Sequence, residues 1–299
     1  MAHSKIFLGS LMVAVATTAA GVVSAQAPGG KGGGKGGGKA KAGATVEKIR
    51  ELKPNLYMIT GGGANTLVRV TPEGLIVADT KNPGDENYDR VMQEIRSVSN
   101  LPVKWVLNTQ HHPDHVGTNQ KFIDAGAQVV ASEALKTYMG SDTRTKEIPG
   151  RPQVTFAKDY TLKFGGAQVD MHNYGRGHSG GDTMVYFTAE KTVMVSDQIT
   201  DGAPLVDFAN GGSAVGWAPM LDAVLALDFE WAIPGRGEPK TKAEVKAYRD
   251  KFAMIVSRAQ DAIKAGATRD TLAMQVNTAD LGWNFNAAFY GSLYDELKK

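Results

Sequence analysis

The chain has 299 residues with 35 Gly, 12 Pro, no Cys and a net charge of +2, a length that suits two ordinary domains or one large α/β domain. Without Cys there is no disulfide and no thiolate ligand, so any bound metal has to be held by His, carboxylate or amide oxygen. The positive charge belongs to the N-terminal segment: five of the 33 Lys and Arg precede the first acid, Glu47, leaving 28 against 31 Asp and Glu, which removes the charge argument for a nucleic-acid-binding domain.

Residues 1–27 read as a secretory signal peptide, with Lys5 as the positive start, a mostly apolar run from Ile6 to Val23 and the small-x-small pattern Ala25-Gln26-Ala27. The unbroken apolar part is shorter than the ~20 residues of a spanning helix, so no transmembrane segment is expected after cleavage and the product is expected to be periplasmic or secreted. Residues 28–43 include GGKGGGKGGGK and hold nothing apolar to bury, the composition of a flexible tether. Residues 44–299 then read as a single domain.

Within it, Asn55–Thr60, Asn65–Val70 and Gly74–Asp79 are expected as antiparallel strands, separated by Gly61-Gly62-Gly63 and Thr71-Pro72-Glu73-Gly74. A helix is expected from Asp85 to Ser99, because Tyr88, Val91, Met92, Ile95 and Val98 recur at helical spacing. Val103–Asn108 reads as a buried strand, Asn119–Ala125 as a helix and Gln128–Ala131 as a strand. Further strands are expected at Ala167–Asn173, Thr183–Phe187, Val193–Ser196 and Trp231–Ile233, with helices at Ser213–Leu227 and Lys242–Lys264. Two β-rich halves flanked by helices predict an αββα sandwich of the α/β class.

Three of the six His fall within Thr109-Gln-His-His-Pro-Asp-His115, at the carboxyl end of an expected strand, where the loops of an open α/β layer leave a crevice. Three imidazoles and a carboxylate in a Pro-containing turn suit zinc or another borderline divalent metal. The run Gln110-His-His-Pro-Asp-His115 resembles the H-x-H-x-D-H signature of the metallo-β-lactamase-fold hydrolases, and four further stretches are similar in the same order. These are Leu75-Ile-Val-Ala-Asp79, Gly177-His-Ser-Gly-Gly-Asp-Thr183, Val195-Ser-Asp197 and Ile233-Pro-Gly-Arg-Gly237.

The resemblance implies a first metal held by Gln110, His112 and His178, a second by Asp114 and His115, and Asp197 bridging the two. It also implies Asp79 and Asp182 as outer carboxylates that steady the ligands or their loops. Two positions depart from the family: Gln110 replaces the first His, and Arg236 replaces the last one. A guanidinium has no lone pair and repels a cation unless it swings away, so one firmly held zinc is expected and a second weak or absent, with iron or manganese as other candidates. His111 falls on the spacer position and, in an extended backbone, points away from Gln110 and His112.

Leader and motifs together imply an exported metal-dependent hydrolase that attacks an ester, thioester, amide or related bond with an activated water. Asp114 is the expected catalytic group, orienting that water, and Arg236 and Trp217 are expected to meet a small-molecule substrate, with Arg236 suited to an anionic one. A β-lactamase proper is the alternative, although the family's lactamases generally lack an Asp at the position of Asp197. A non-catalytic binding protein on the same fold is the rival from another class. No nucleic-acid partner is expected, and oligomeric state is not readable.

Overall fold

The computed structural model describes residues 45–299; the expected signal peptide and tether lie outside the described residues. Among the described residues twelve strands make two sheets. β1 (Arg50–Lys53), β2 (Leu56–Ile59), β3 (Thr66–Thr71), β4 (Gly74–Ala78), β5 (Val103–Leu107), β6 (Gln128–Ser132) and β7 (Val154–Phe156) lie side by side in chain order. The first four are antiparallel, as the intervening turn residues require, and β4 to β7 are parallel. The second sheet has the order β12-β11-β10-β9-β8, from β8 (Asp159–Phe164), β9 (Ala167–His172), β10 (Met184–Phe187), β11 (Thr192–Ser196) and β12 (Trp231–Pro234). Only its β11–β12 pair is parallel.

The helices are α1 (Asp85–Arg96), α2 (Pro113–Val116), α3 (Asn119–Asp124), α4 (Glu133–Ser141), α5 (Ala214–Leu225), α6 (Lys242–Lys264), α7 (Leu272–Gln275) and α8 (Ala287–Leu297). Strand alternation makes the layers. Along β4, Ile76 and Ala78 face the second sheet, packing with Val169, Val185 and Met194, while Leu75 and Val77 face α1 and α3, packing with Val91, Ile95 and Phe122. Along β11, Met194 faces the first sheet, while Val193 and Val195 face Trp217, Leu221 and Phe252 of α5 and α6. The result is the αββα sandwich. No helix among the described residues is long and apolar enough to cross a membrane.

Candidate metal centre

The site forms where strands of both sheets end along one edge. β4 runs into Asp79, β5 into Asn108–His112, β11 into Asp197, β12 into Gly235 and Arg236, and the β9–β10 connection carries Gly177–Asp182. Hydrogen bonds across the edge fix these ends to one another. Thr109 N donates to Asp79 Oδ1 (2.9 Å), Thr183 N to the Thr109 carbonyl (2.7 Å) and Asn65 N to the Gly235 carbonyl (2.6 Å). Asp79 and Ser196 take left-handed backbone conformations, φ 60° and 54°, which side-chain-bearing residues adopt only when their surroundings impose it.

The motif backbone is extended at His112 (φ −65°, ψ 154°), and Pro113 then opens the single helical turn α2, for which its fixed φ is suited. That turn carries Asp114 and His115, so the extended stretch of the motif ends at His112. His111 turns to Asp142, 3.1 Å from its Nε2, and burial lowers its pKa to about 4, leaving the ring neutral.

Two ligand candidates have tautomers fixed by their outer nitrogens. His178 Nδ1 lies 2.6 Å from the Leu205 carbonyl, which only accepts, so Nδ1 carries a proton and Nε2 is the ring atom left for a metal. His112 Nε2 lies 2.9 Å from Asp207 Oδ2 and carries the proton there; burial lowers the pKa of this ring, so Nδ1 keeps its lone pair. His112 Nδ1 and His178 Nε2 face each other at 3.0 Å, with Asp197 Oδ2 3.6 Å from His178 Nε2. Two buried imidazole nitrogens and a carboxylate oxygen turned on one point are the donor set of a divalent metal site. Gln110 stands at the same point, but its Nε2 donates to Asp197 Oδ2 (2.8 Å) and its Oε1 accepts from His112 N (3.4 Å). It holds the carboxylate in place, and it would become a ligand only with the amide turned over.

His115 is fully buried. Its Nδ1 meets Asp79 Oδ2 at 2.7 Å, while Nε2 has no hydrogen-bond partner and faces Asp197 Oδ2 at 3.4 Å and Asp114 Oδ2 at 3.5 Å. Burial disfavours its imidazolium, but the carboxylates of Asp114, Asp79 and Asp197 outweigh that and raise its pKa well above the usual range. Arg236 has not swung away: Nη2 donates to Asp114 Oδ2 and Nη1 to Asp197 Oδ1 (3.3 Å), so a guanidinium spans the two carboxylates of this second group. Burial alone would raise the Asp197 carboxyl, yet the cationic His115 and Arg236 beside it hold it far below the carboxylate range. The backbone at Gly235 passes so close that a Cβ there would overlap Asp197 Oδ1.

Asp182 is fully buried and accepts from Gly177 N (3.0 Å), Ser179 N (2.9 Å) and Ser179 Oγ (2.6 Å), fixing the loop that carries His178. Trp217 does not line the cleft: it is wholly buried, its Nε1 donates to the Gln198 carbonyl (3.1 Å) and its ring packs edge-on against Phe252. The apolar positions of α5 face the second sheet, which draws the indole inward. His172 lies apart on β9 and meets Asp159 (2.8 Å). Asp207, Asp142 and Arg144 are functional neighbours that sequence reasoning missed. They lie in irregular loops outside every motif, and the only signal for them is the general need of a ligating His for an outer carboxylate.

Comparison with known proteins gives the family and supports the fold. The sequence pattern of the Metallo-beta-lactamase superfamily matches residues 58–236, more than half of the chain. The chain is 25% identical over 231 residues to the 2,4-dinitroanisole O-demethylase subunit alpha of Nocardioides sp. (strain JS1661), covering 77% of this chain and 68% of that one. It is 23% identical over 257 residues to the linear primary-alkylsulfatase of Pseudomonas sp. (strain ATCC 19151), covering 69% of this chain and only 48% of that protein. In fold it is similar to the metallo-beta-lactamase from Pontibacter korlensis, with a TM-score of 0.61, 20% identity, and coverage of 70% of this chain and 99% of that one. The chain belongs to the metallo-beta-lactamase superfamily.

Proposed function

We propose that this protein is an exported hydrolase that works with one divalent metal, zinc first among the candidates and iron or manganese next, on an ester, thioester, amide or related bond. The observation that carries the reading is the pair of facing imidazole nitrogens, His112 Nδ1 and His178 Nε2, at 3.0 Å beside Asp197. Three His and carboxylate groups among the described residues could hold an ion: His112–His178–Asp197, Asp114–His115–Asp197 and His111–His112–Asp142–Asp207. Arg236 bridges the two carboxylates of the second and Arg144 those of the third, whereas the first meets a guanidinium only at the outer oxygen of Asp197, Oδ1, and keeps Oδ2 turned to His178. A metal held there supplies Lewis acidity, acidifying a water and polarising the scissile bond.

The chain's own groups divide the remaining work. Asp114, at the edge of the cleft, orients the attacking water and takes up its proton. Arg236 keeps Asp114 and Asp197 in place, and its half-exposed guanidinium has donors beyond those two, suited to an anionic group on the substrate. Gln110 steadies Asp197. Export rests on the leader sequence, and a mature N terminus near Pro28 on protein recovered from periplasm or medium is its test.

The reaction is tested with purified chain, zinc-loaded or stripped by chelator, on a thioester, a carboxylic ester, an alkyl sulfate, an aryl methyl ether and nitrocefin. The sulfate and the ether are included because relatives carry those names. Turnover of a non-lactam substrate is expected, abolished by chelation and restored by zinc, and Asp114→Asn should lower it by roughly 10²–10⁴-fold with the fold intact. Nitrocefin as the best substrate would turn the reading to a β-lactamase. A chain that holds no metal and turns over nothing would make it a non-catalytic binding protein.

A further inference from the structure

Arg144, in the turn that follows α4, carries the third His and carboxylate group. Its Nε lies 3.0 Å from both Asp142 oxygens, its Nη2 lies 2.5 Å from Asp142 Oδ2, and the same Nη2 donates to Asp207 Oδ2. Each carboxylate in turn holds one ring of the motif: Asp142 meets His111 Nε2 at 3.1 Å and Asp207 meets His112 Nε2 at 2.9 Å. The two rings lie edge to face with centroids 4.5 Å apart. The ligating atoms of the group lie within 4.8 Å of one another, so without the guanidinium the two carboxylates would repel and part.

Asp207 belongs to the irregular loop before α5. Its backbone N donates to the His178 carbonyl (2.8 Å) and its carbonyl accepts from Asn210 N (3.0 Å) and Gly212 N (2.8 Å), so the backbone is held, while its carboxylate is set by Asn210 Nδ2 (3.1 and 3.0 Å), His112 and Arg144. A carboxylate in that position decides which nitrogen of His112 carries the proton, and so whether the other nitrogen is free for a metal.

We propose that Arg144 is a positioning residue for the metal centre. By clamping Asp142 and Asp207 together it holds His112 as the Nε2–H tautomer, with the Nδ1 lone pair turned towards His178. Arg144 itself touches neither of the facing nitrogens. The inference rests on the hydrolase reading for its consequence in metal binding, but the state of the His112 ring can be measured without metal.

The test uses the full mature chain with Arg144→Gln and Arg144→Lys. Zinc affinity is measured by competition with a chromophoric chelator, and the His112 Nε2–H is followed by ¹⁵N–¹H NMR in the metal-free protein. Arg144→Gln is expected to weaken zinc binding about 10–100-fold and to lose the protected His112 Nε2–H signal while the melting temperature stays close to that of the wild type. Lys should recover part of both, since it restores the charge without the fork. In an Asp207→Asn background, Arg144→Gln should weaken zinc by less than about twofold more, because the carboxylate it steadies is gone.

Zinc affinity within about twofold of wild type with the His112 signal retained would overturn the proposal, as would fully independent losses in the double variant. Should Arg144→Gln fail to fold, Arg144→Lys is read by the same two criteria. A wild-type chain that binds no zinc at all would instead count against the hydrolase reading, and the metal-free His112 signal would still decide on Arg144.

Discussion

Asp197 is the residue on which the centre turns, and its neighbours are chosen for it. It accepts from Gln110, faces His115 and His178, pairs with Arg236 and rests against the bare Cα of Gly235. Gly235→Ala should push the carboxylate aside and weaken zinc binding by about tenfold or more while the melting temperature moves little; an unchanged zinc affinity would show that the close approach is not needed. Lys81 is another residue with a measurable consequence. It is fully buried, donates to the carbonyls of Ile59 (2.7 Å) and Ala64 (2.6 Å), and burial lowers its pKa to about 7. The unfolded chain therefore holds this proton up to about pH 10 while the folded one releases it near 7, so stability should rise with pH across that window and be lower, and flat in this respect, beneath it. Denaturant midpoints from about pH 6 to 10 check it, and Lys81→Met should flatten the rise.

How much of the site was legible differs from residue to residue. His112, Asp114, His115, His178 and Asp197 stand in short motifs, where identity and spacing carry the information, and the structure brings all five together with Gln110 and Arg236. Asp207, Asp142 and Arg144 converge only through folding of irregular loops, and nothing in local spacing announces them. Trp217 shows the opposite failure, because the layout implied by the resemblance put it at the substrate while the burial of its helix face decided otherwise.

At the level of elements, helix α6 is the clearest case, for its observed range, Lys242–Lys264, is the one expected from the sequence. The reason is a complete start signal: Thr241 Oγ1 accepts from Glu244 N (3.3 Å) and Thr241 N donates to Glu244 Oε2 (2.8 Å). Thr241→Ala should cost about 1 kcal/mol, read from the urea midpoint, and a change below a few tenths would mean that packing alone fixes this end. The start of α5 shows why other ends are harder to read. Ser213 caps Gly216 N (2.7 Å), but Glu296 of α8 also accepts from Ala214 N (3.0 Å), a partner 82 residues away that no local window contains. Short or edge elements escaped for a related reason: β1, β7, β8, α2, α4, α7 and α8 draw their stability from neighbours rather than from a long periodic pattern. In α2 the helical turn begins at Pro113 itself, which turns Asp114 and His115 into the cleft where an extended run would have alternated them.

The whole molecule presents one edge of a four-layer sandwich as its working face, and the layers explain why. Parallel strands of both sheets end there, and hydrogen bonds such as Thr183 N to Thr109 O and Asn65 N to Gly235 O join one sheet's loops to the other's. Ligands from distant parts of the sequence thereby hold fixed relative positions before any metal arrives. Around that face two guanidiniums, Arg236 and Arg144, bridge the carboxylates of two of the three His and carboxylate groups among the described residues, and the proposed single metal takes the remaining group. The measurement that bears on this most directly is metal per chain by plasma mass spectrometry, after zinc loading and desalting of the wild type, His178→Ala and Arg236→His. One zinc in the wild type, none in His178→Ala and a rise towards two in Arg236→His are expected. Two zinc ions in the wild type would contradict the role given to Arg236, and none would contradict the metal centre itself.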